Sequence, residues 1–550
     1  MKLLRRISVI FLVLFGAVFV AFKSDDRYFE IAKNLDIFAT MFKELNAYYV
    51  DEINPNRAMR LSIEGMLKQL DPYTNFYPED DIEDYMTMTT GKYNGIGATV
   101  TPRNGKQLVV MIYEGSPADK AGMKIGDEII KIDGVDIVNR KGVDIGRLLK
   151  GQTGTSVKLA VKRYGQNSPV ELTVGRDIVK TLNVPHHGMI NNEVGYIQLN
   201  DFTATAAKEV KTAFNDLKAQ GMKQLVFDLR GNPGGLLNMS VEICNMFLPK
   251  DALIVETRGK VAEWNRKYNG TEQPIDTDMP IVVLINSQSA SAAEIVSGTL
   301  QDYDRAVLIG QKSFGKGLVQ TTRDLSYNTK MKITTAKYYI PSGRCIQAID
   351  YTHRNADGSV GKVPDSLKTA FKTKNGRTVY DGGGVDPDIK LEVNAMSSVT
   401  ANLLTKSMIF DYATKYYFEH PNLKPEKNFS IQDSDYQDFI NWLKTKDFTY
   451  STATEKQLDN LEASAKKDKS LDMIQEQIKL LRSKIDQSKQ QDLIKFKSEI
   501  KEQLEIEILS RYYYQKAMKF VSFEKDNEVQ EALKLFKDMS RYQSILKGSK

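Results

Sequence analysis

The sequence predicts a multidomain α+β chain: an α/β layered core, preceded by a helical region and a β-rich module, and followed by a long helical region. Three observations carry that prediction. The chain has 550 residues, more than one domain of about 150 would use. Strand and helix signals alternate from about 178 to 395, the pattern of an α/β layer. The last hundred residues contain no proline and a single glycine, Gly548, which leaves nothing to interrupt helices. Hydrophobic residues make up 41% and charged residues 27%, an ordinary globular balance that argues against global disorder, a collagen-like chain or a polytopic membrane protein.

The order along the chain begins with residues 1–23, where Lys2, Arg5, Arg6 and Lys23 are the charges and no acid occurs. Ile7 to Phe22 between them is apolar, as in a signal peptide or a short amino-terminal membrane anchor. Export is the expectation, with the choice between cleavage and anchoring left open. The formal charge of +6 thus falls to +2 for the rest of the chain, which is not the footprint of a nucleic-acid-binding protein. Two cysteines, Cys244 and Cys345, and four histidines are too few for a disulfide framework or a zinc cluster, so no metal or other cofactor is expected.

Residues 24–90 carry helical spacing, as in Ile31, Leu35, Phe38, Phe42 and Leu45, and then an acidic, proline-bearing segment. From 91 to 177 short alternating runs are broken by glycines: GlyIleGlyAlaThrVal at 95–100, LeuValValMetIle at 108–112 and GluIleIleLysIleAspGly at 128–134. Ser116-Pro117 before Ala118–Ala121 and Gly122 reads as a cap, a first-turn proline and a glycine stop around one short helix. In the 178–395 core, apolar strands at 225–229, 281–285 and 306–310 each run into a polar loop, glycine-bearing after the first and third. In a parallel sheet such loops share one edge, where sites are built. Residues 396–550 then read as solvated helices.

Ser291 stands where the strand ending at Ile285 turns into a helix, a place for an exposed nucleophile. The plain alternative is that Ser291-Ala292-Ala293-Glu294 is a capping box with no chemistry. With so few histidines, the candidate base is Lys316, between Gly315 and Gly317, provided that desolvation lowers its pKa. A solvated loop cation is the plain alternative there. Gln320, four positions on, shares a face with Lys316 if the chain is extended. The N–H groups of Gly234 or Gly235, with that of Ala292, are candidate oxyanion donors, although AsnProGlyGly alone reads as a turn. Gly310-Gln-Lys-Ser-Phe-Gly315-Lys316-Gly317 also approaches a phosphate-binding loop, but Gly317 replaces the magnesium-holding hydroxyl and the run that follows reads as a strand.

At these residues the sequence resembles the carboxyl-terminal processing (tail-specific) proteases, peptidase family S41, over roughly residues 30 to 395. The motifs are AspLeuArgGlyAsnProGlyGly at 228–235, SerAlaSerAlaAlaGlu at 289–294, SerPheGlyLysGlyLeuValGln at 313–320, TyrTyrIleProSerGlyArg at 338–344 and GlyGlyGlyValAspProAsp at 382–388. The resemblance implies a crotonase-like, ClpP-like layered core with Ser291 as nucleophile, Lys316 as general base, Gln320 holding the lysine, and a glycine of 234–235 with Ala292 as oxyanion hole. Ala293 and Gly231 stand where that family often has serine and asparagine. The 91–177 module similarly looks like a PDZ domain, with Gly95, Ile96, Gly97 and Ala98 in the place of its carboxylate-binding loop. The resemblance implies an envelope enzyme that takes protein substrates by apolar C-terminal tails. The rival is a non-catalytic PDZ scaffold. The C-terminal helices, outside the resemblance, leave an adaptor or a second copy of the chain as partners.

Overall fold

In the computed structural model the residues described are 27–138, 145–392, 395–424, 429–519 and 523–548. The apolar stretch 7–22 lies outside them, and among the described residues no helix is long and apolar enough to cross a membrane. The chain divides into two units, one reaching to Phe76 with residues 331–333, the other holding the rest.

The smaller unit contains a helix over 27–48 and a second, Pro55–Leu67, which starts on Asn54 with the Arg57 N–H donating to Asn54 Oδ1 at 3.0 Å. Proline at the first position fits, since its missing N–H would have had no helical partner.

In the larger unit the module after Gly91 is a sheet in the order Ala98–Arg103, Lys106–Ile112, Glu128–Ile132, Ser156–Lys162, Val170–Gly175. Its core includes Ile96, Val109, Ile112, Ile129, Val157, Leu159 and Val174. The predicted short helix is there as Pro117–Lys120, capped by Ser116 and stopped at Gly122 with φ +76°. Strand Ala98–Arg103 pairs on one side only, with Lys106–Ile112.

The core sheet runs His186–Met189, Val194–Gln198, Gln224–Asp228, Ile281–Ile285, Ala306–Gly310, Ile389–Lys390. The first pairing is antiparallel and the other four are parallel, so the loops leaving Asp228, Ile285 and Gly310 share one edge. These strands are apolar without alternation because both faces are covered. Leu225, Phe227, Ile281, Val283 and Leu308 pack with helices Ala206–Ala219, Leu237–Asn245 and Ala292–Asp302. Val226, Val282, Leu284, Val307 and Ile309 pack instead against Val529, Ala532, Leu535, Phe536 and Tyr542, from the last two helices, Asn527–Lys537 and Met539–Lys547. The Tyr542 hydroxyl locks this layer down, accepting from Ile281 N–H at 3.0 Å and donating to Ile281 O at 3.1 Å. The end of the chain is thus a layer of the core rather than an appendage.

Between core and terminus, helices from Ser398–Thr405 to Lys497–Tyr513 gather around Leu403, Tyr412, Phe439, Ile500 and Leu504. One of them, Met408–Glu419, also reaches the β-module: Phe410 enters that module's core, with the Arg103 guanidinium over its ring at 4.7 Å.

Candidate active site

The wholly buried helix Ala292–Asp302 starts at Ser291, held at φ +55°, ψ −114°. A positive φ is costly for a residue with a Cβ, and such strain persists only where the surroundings hold it. Here three contacts do. Ser291 N–H donates to Glu294 Oε2 at 2.8 Å, and its carbonyl accepts from Ile295 N–H at 2.9 Å and from the buried Tyr338 hydroxyl at 3.2 Å. The capping arrangement that the sequence offers is thus present, with Glu294 taking the Ser291 N–H, although the serine side chain makes no capping hydrogen bond of ordinary length.

Glu294 has no solvent exposure and reaches beyond its helix. Its Oε1 accepts from Ser313 Oγ at 2.5 Å and from Gly315 N–H at 2.7 Å, and its Oε2 accepts from Lys316 N–H at 2.9 Å as well as from Ser291. One oxygen thus joins the two backbones, so the nitrogens of Ser291 and Lys316 lie no farther apart than two hydrogen bonds laid end to end. Burial pushes the Glu294 carboxyl up from its ordinary value, against the pull of these donors.

Residues 311–317 form the loop between Ala306–Gly310 and Leu318–Asp324. A strand follows it where a phosphate loop needs a helix start, so the nucleotide alternative lacks its geometry. The loop is pinned by Phe314 N–H to Ser289 O at 3.0 Å, Ala348 N–H to Gly315 O at 2.9 Å, and Gly317 N–H to Gln347 Oε1 at 2.7 Å. A Cβ on Gly315, whose φ is +89°, would sit 2.4 Å from Ala348 Cβ, and one on Gly317 would sit 2.8 Å from Gln347 N, so both allow close backbone packing. Gln320 lies two residues into the next strand and donates from Nε2 to Thr334 Oγ1 at 3.1 Å.

The 230–235 turn brings up the third side. Gly234 is appressed to Ser291, for a Cβ there would lie 2.8 Å from both Ala292 N and Ser291 Cβ. Its N–H is already used, donating to Asn232 Oδ1 at 2.8 Å, and Asn232 Nδ2 in turn holds Leu199 O at 2.7 Å. The N–H groups of Gly235 and Ala292 donate to no acceptor among the described residues. Asn286 ties this turn to the serine loop by accepting from Gly231 N–H at 3.0 Å. Arg230, at the head of the turn, meets Asp228 beneath it; burial disfavours its charge, and the Asp228 carboxylate more than offsets that, pushing the guanidinium pKa up. Ser291, Lys316, Gly234, Gly235 and Ala292 thus converge at one sheet edge, as the sequence expects. Glu294, singled out only as a cap, and Tyr338, Asn232 and Asn286 also bind the site together. All but Asn286 stand in the quoted motifs, but a polar residue inside a motif does not disclose which backbone it will hold.

In the β-module, Gly95 closes strand Lys92–Gly95, and Ile96, Gly97 and Ala98 lead into the half-paired strand. The Ile96 carbonyl turns inward to Ala118 N–H at 2.7 Å and that of Gly97 to Tyr113 N–H at 3.0 Å. Gly97 has φ +78°, and a Cβ there would meet Ser116 Cβ at 2.2 Å.

Comparison with known proteins agrees with this geometry. Residues 193–355 match the model of peptidase family S41, 108–163 match a PDZ domain, and 399–536 match a probable PDZ-protease C-terminal helical domain. A carboxy-terminal-processing protease of Bartonella bacilliformis is 36% identical over 324 residues, 58% of this chain and 74% of that protein. The carboxy-terminal processing protease CtpA of Bacillus subtilis is 32% identical over 373 residues, 67% of this chain and 77% of its own length. Among solved structures, the photosystem II D1 C-terminal processing protease aligns at 25% identity with a TM-score of 0.36, covering 64% of this chain and 86% of that one. With relatives matched over three quarters of their length, and a sheet edge that assembles the motif residues, the chain belongs to peptidase family S41.

Proposed function

We propose that the protein is a serine endopeptidase that processes the C-terminal tails of exported proteins, with Ser291 as nucleophile and Lys316 as base. The observation that carries this reading is the Glu294 carboxylate, which fastens the backbones of both residues with a single oxygen. The Ser291 side chain, which makes no capping hydrogen bond of ordinary length, supports it. Proton transfer needs a hydrogen bond between Ser291 Oγ and Lys316 Nζ, and such catalytic hydrogen bonds tighten with substrate in place.

Neutral Lys316 takes the proton from Ser291 Oγ as that oxygen attacks the scissile carbonyl carbon. The tetrahedral oxyanion lies against the N–H groups of Ala292 and Gly235, the latter being the glycine whose donor the turn leaves unused. The lysine ammonium then protonates the leaving amine, the C–N bond breaks, and an ester to Ser291 remains. Water, deprotonated by the same lysine, attacks that ester and frees the new carboxylate and the serine. Gln320 orients the lysine side chain from the adjoining strand. The loop at 95–98 receives the carboxylate of an apolar tail, and the free edge of Ala98–Arg103 pairs with the extended peptide. The basic, apolar leader supports export to the envelope, with residues 7–22 as signal or anchor.

The test is cleavage of an unstructured protein ending in an apolar tail. Ser291→Ala and Lys316→Ala should each lower turnover at least about a thousandfold. Wild-type turnover by either variant would overturn the assignment.

A further inference from the structure

The C-terminal helix Asn527–Lys537 presents two carboxylates to the catalytic edge of the sheet. Asp526, its cap, accepts from Arg230 with both oxygens, Oδ1 to Nη1 at 3.0 Å and Oδ2 to Nη2 at 2.7 Å, while also taking Val529 N–H at 3.0 Å. Glu528 Oε2 accepts from Arg230 Nη1 at 3.2 Å, and its Oε1 accepts from Gln311 Nε2 at 2.9 Å. Arg230 opens the turn that carries Gly234 and Gly235. Gln311 is the first residue of the loop that carries Lys316. Three carboxylates, counting Asp228, fill the guanidinium fork, so Arg230 is left with one orientation.

We propose that Asp526 and Glu528 are positioning residues for the reaction. They hold the roots of the oxyanion turn and of the lysine loop in one register, and so bring the start of the helix Asn527–Lys537 into the support of the site. This rests on the protease reading above. Holding two loops still at the moment charge develops acts on the transition state, whereas a tail captured at 95–98 is bound by other residues.

The double variant Asp526→Asn with Glu528→Gln keeps an N-cap and keeps an acceptor for Gln311 while removing both charges. Tyr542→Phe is the control, because it loosens the docking of the same helices on Ile281 and does not touch Arg230. Each is measured in the full chain as kcat and KM per folded molecule, with a tailed peptide whose cleavage disappears in Ser291→Ala. The expected result is a kcat lowered about 10- to 100-fold with KM within about twofold for the double variant, and an unchanged kcat with a lower Tm for Tyr542→Phe. An unchanged kcat in the double variant, or an equal fall in both variants, overturns the positioning role while leaving the protease reading intact. Absence of any Ser291-dependent cleavage by the wild type overturns both.

Discussion

Glu294 has no path to water and four donors converging on it, so its two ionisation states have opposite consequences for function and for folding. A protonated carboxyl cannot accept from all four, and its raised pKa means that it takes up a proton at a higher pH than an exposed glutamate does. For stability the sign is reversed. A carboxyl whose pKa is raised on folding costs stability when ionised, and that cost shrinks as pH falls through the raised value. Activity should therefore fall on the acid side while the fold persists. A pH–rate profile with near-UV circular dichroism on the same samples checks this, the acid limb lying above the ordinary glutamate range and ahead of any loss of the spectrum. Glu294→Gln puts an amide donor among N–H donors and should lower kcat on the order of a hundredfold at neutral pH. The placing of Ser291 and Lys316 in loops at one sheet edge was legible in the sequence because apolar strands precede both loops. The use of Glu294 was not, because a capping glutamate and a loop-binding glutamate have the same spacing and differ only in which backbone folds against them.

At the scale of elements, the loops of this site are short segments held by glycines that permit contact. Gly315→Ala places a Cβ against Ala348 in a conformation that L residues rarely adopt. It should cost about 1–3 kcal/mol of stability and displace Lys316, read by denaturant unfolding and by turnover. Gly97→Ala meets Ser116 in the same way and should weaken tail binding at least about tenfold. Turnover of a short peptide that bypasses the module should be spared, and calorimetry with a tail peptide separates the two effects. The strands at 225–228, 281–285 and 306–310 are legible because short apolar runs that stop at polar segments have few other solutions. Helix Ala206–Ala219 begins three residues after Thr203. The Thr203 N–H and hydroxyl are both bonded to Asn183 Oδ1, a partner twenty residues away that spacing cannot reveal.

On the scale of the whole molecule, composition alone establishes that the terminus is helical, but not what it covers. The helix Asn527–Lys537 buries Val529, Ala532, Leu535 and Phe536, and these spacings describe any amphipathic helix; the sheet face opposite them is assembled from strands about 200–350 residues earlier in the chain. Deleting residues 523–550 should expose Val226, Val282, Leu284, Val307 and Ile309 together, giving a dye-binding, aggregating protein without a cooperative melt. Calorimetry and size-exclusion chromatography check this, and a monodisperse truncated form would contradict it. The same layer has a consequence in time. A chain is synthesised from its amino terminus, so Ser291, Lys316 and Gln320 all emerge about two hundred residues before Asp526. At roughly 5–20 residues per second, that interval is on the order of ten to forty seconds. Through it the nascent polypeptide carries its S41 motif residues on a sheet with one face still bare, and the helices Asn527–Lys537 and Met539–Lys547 that cover that face are the last part of the fold to arrive.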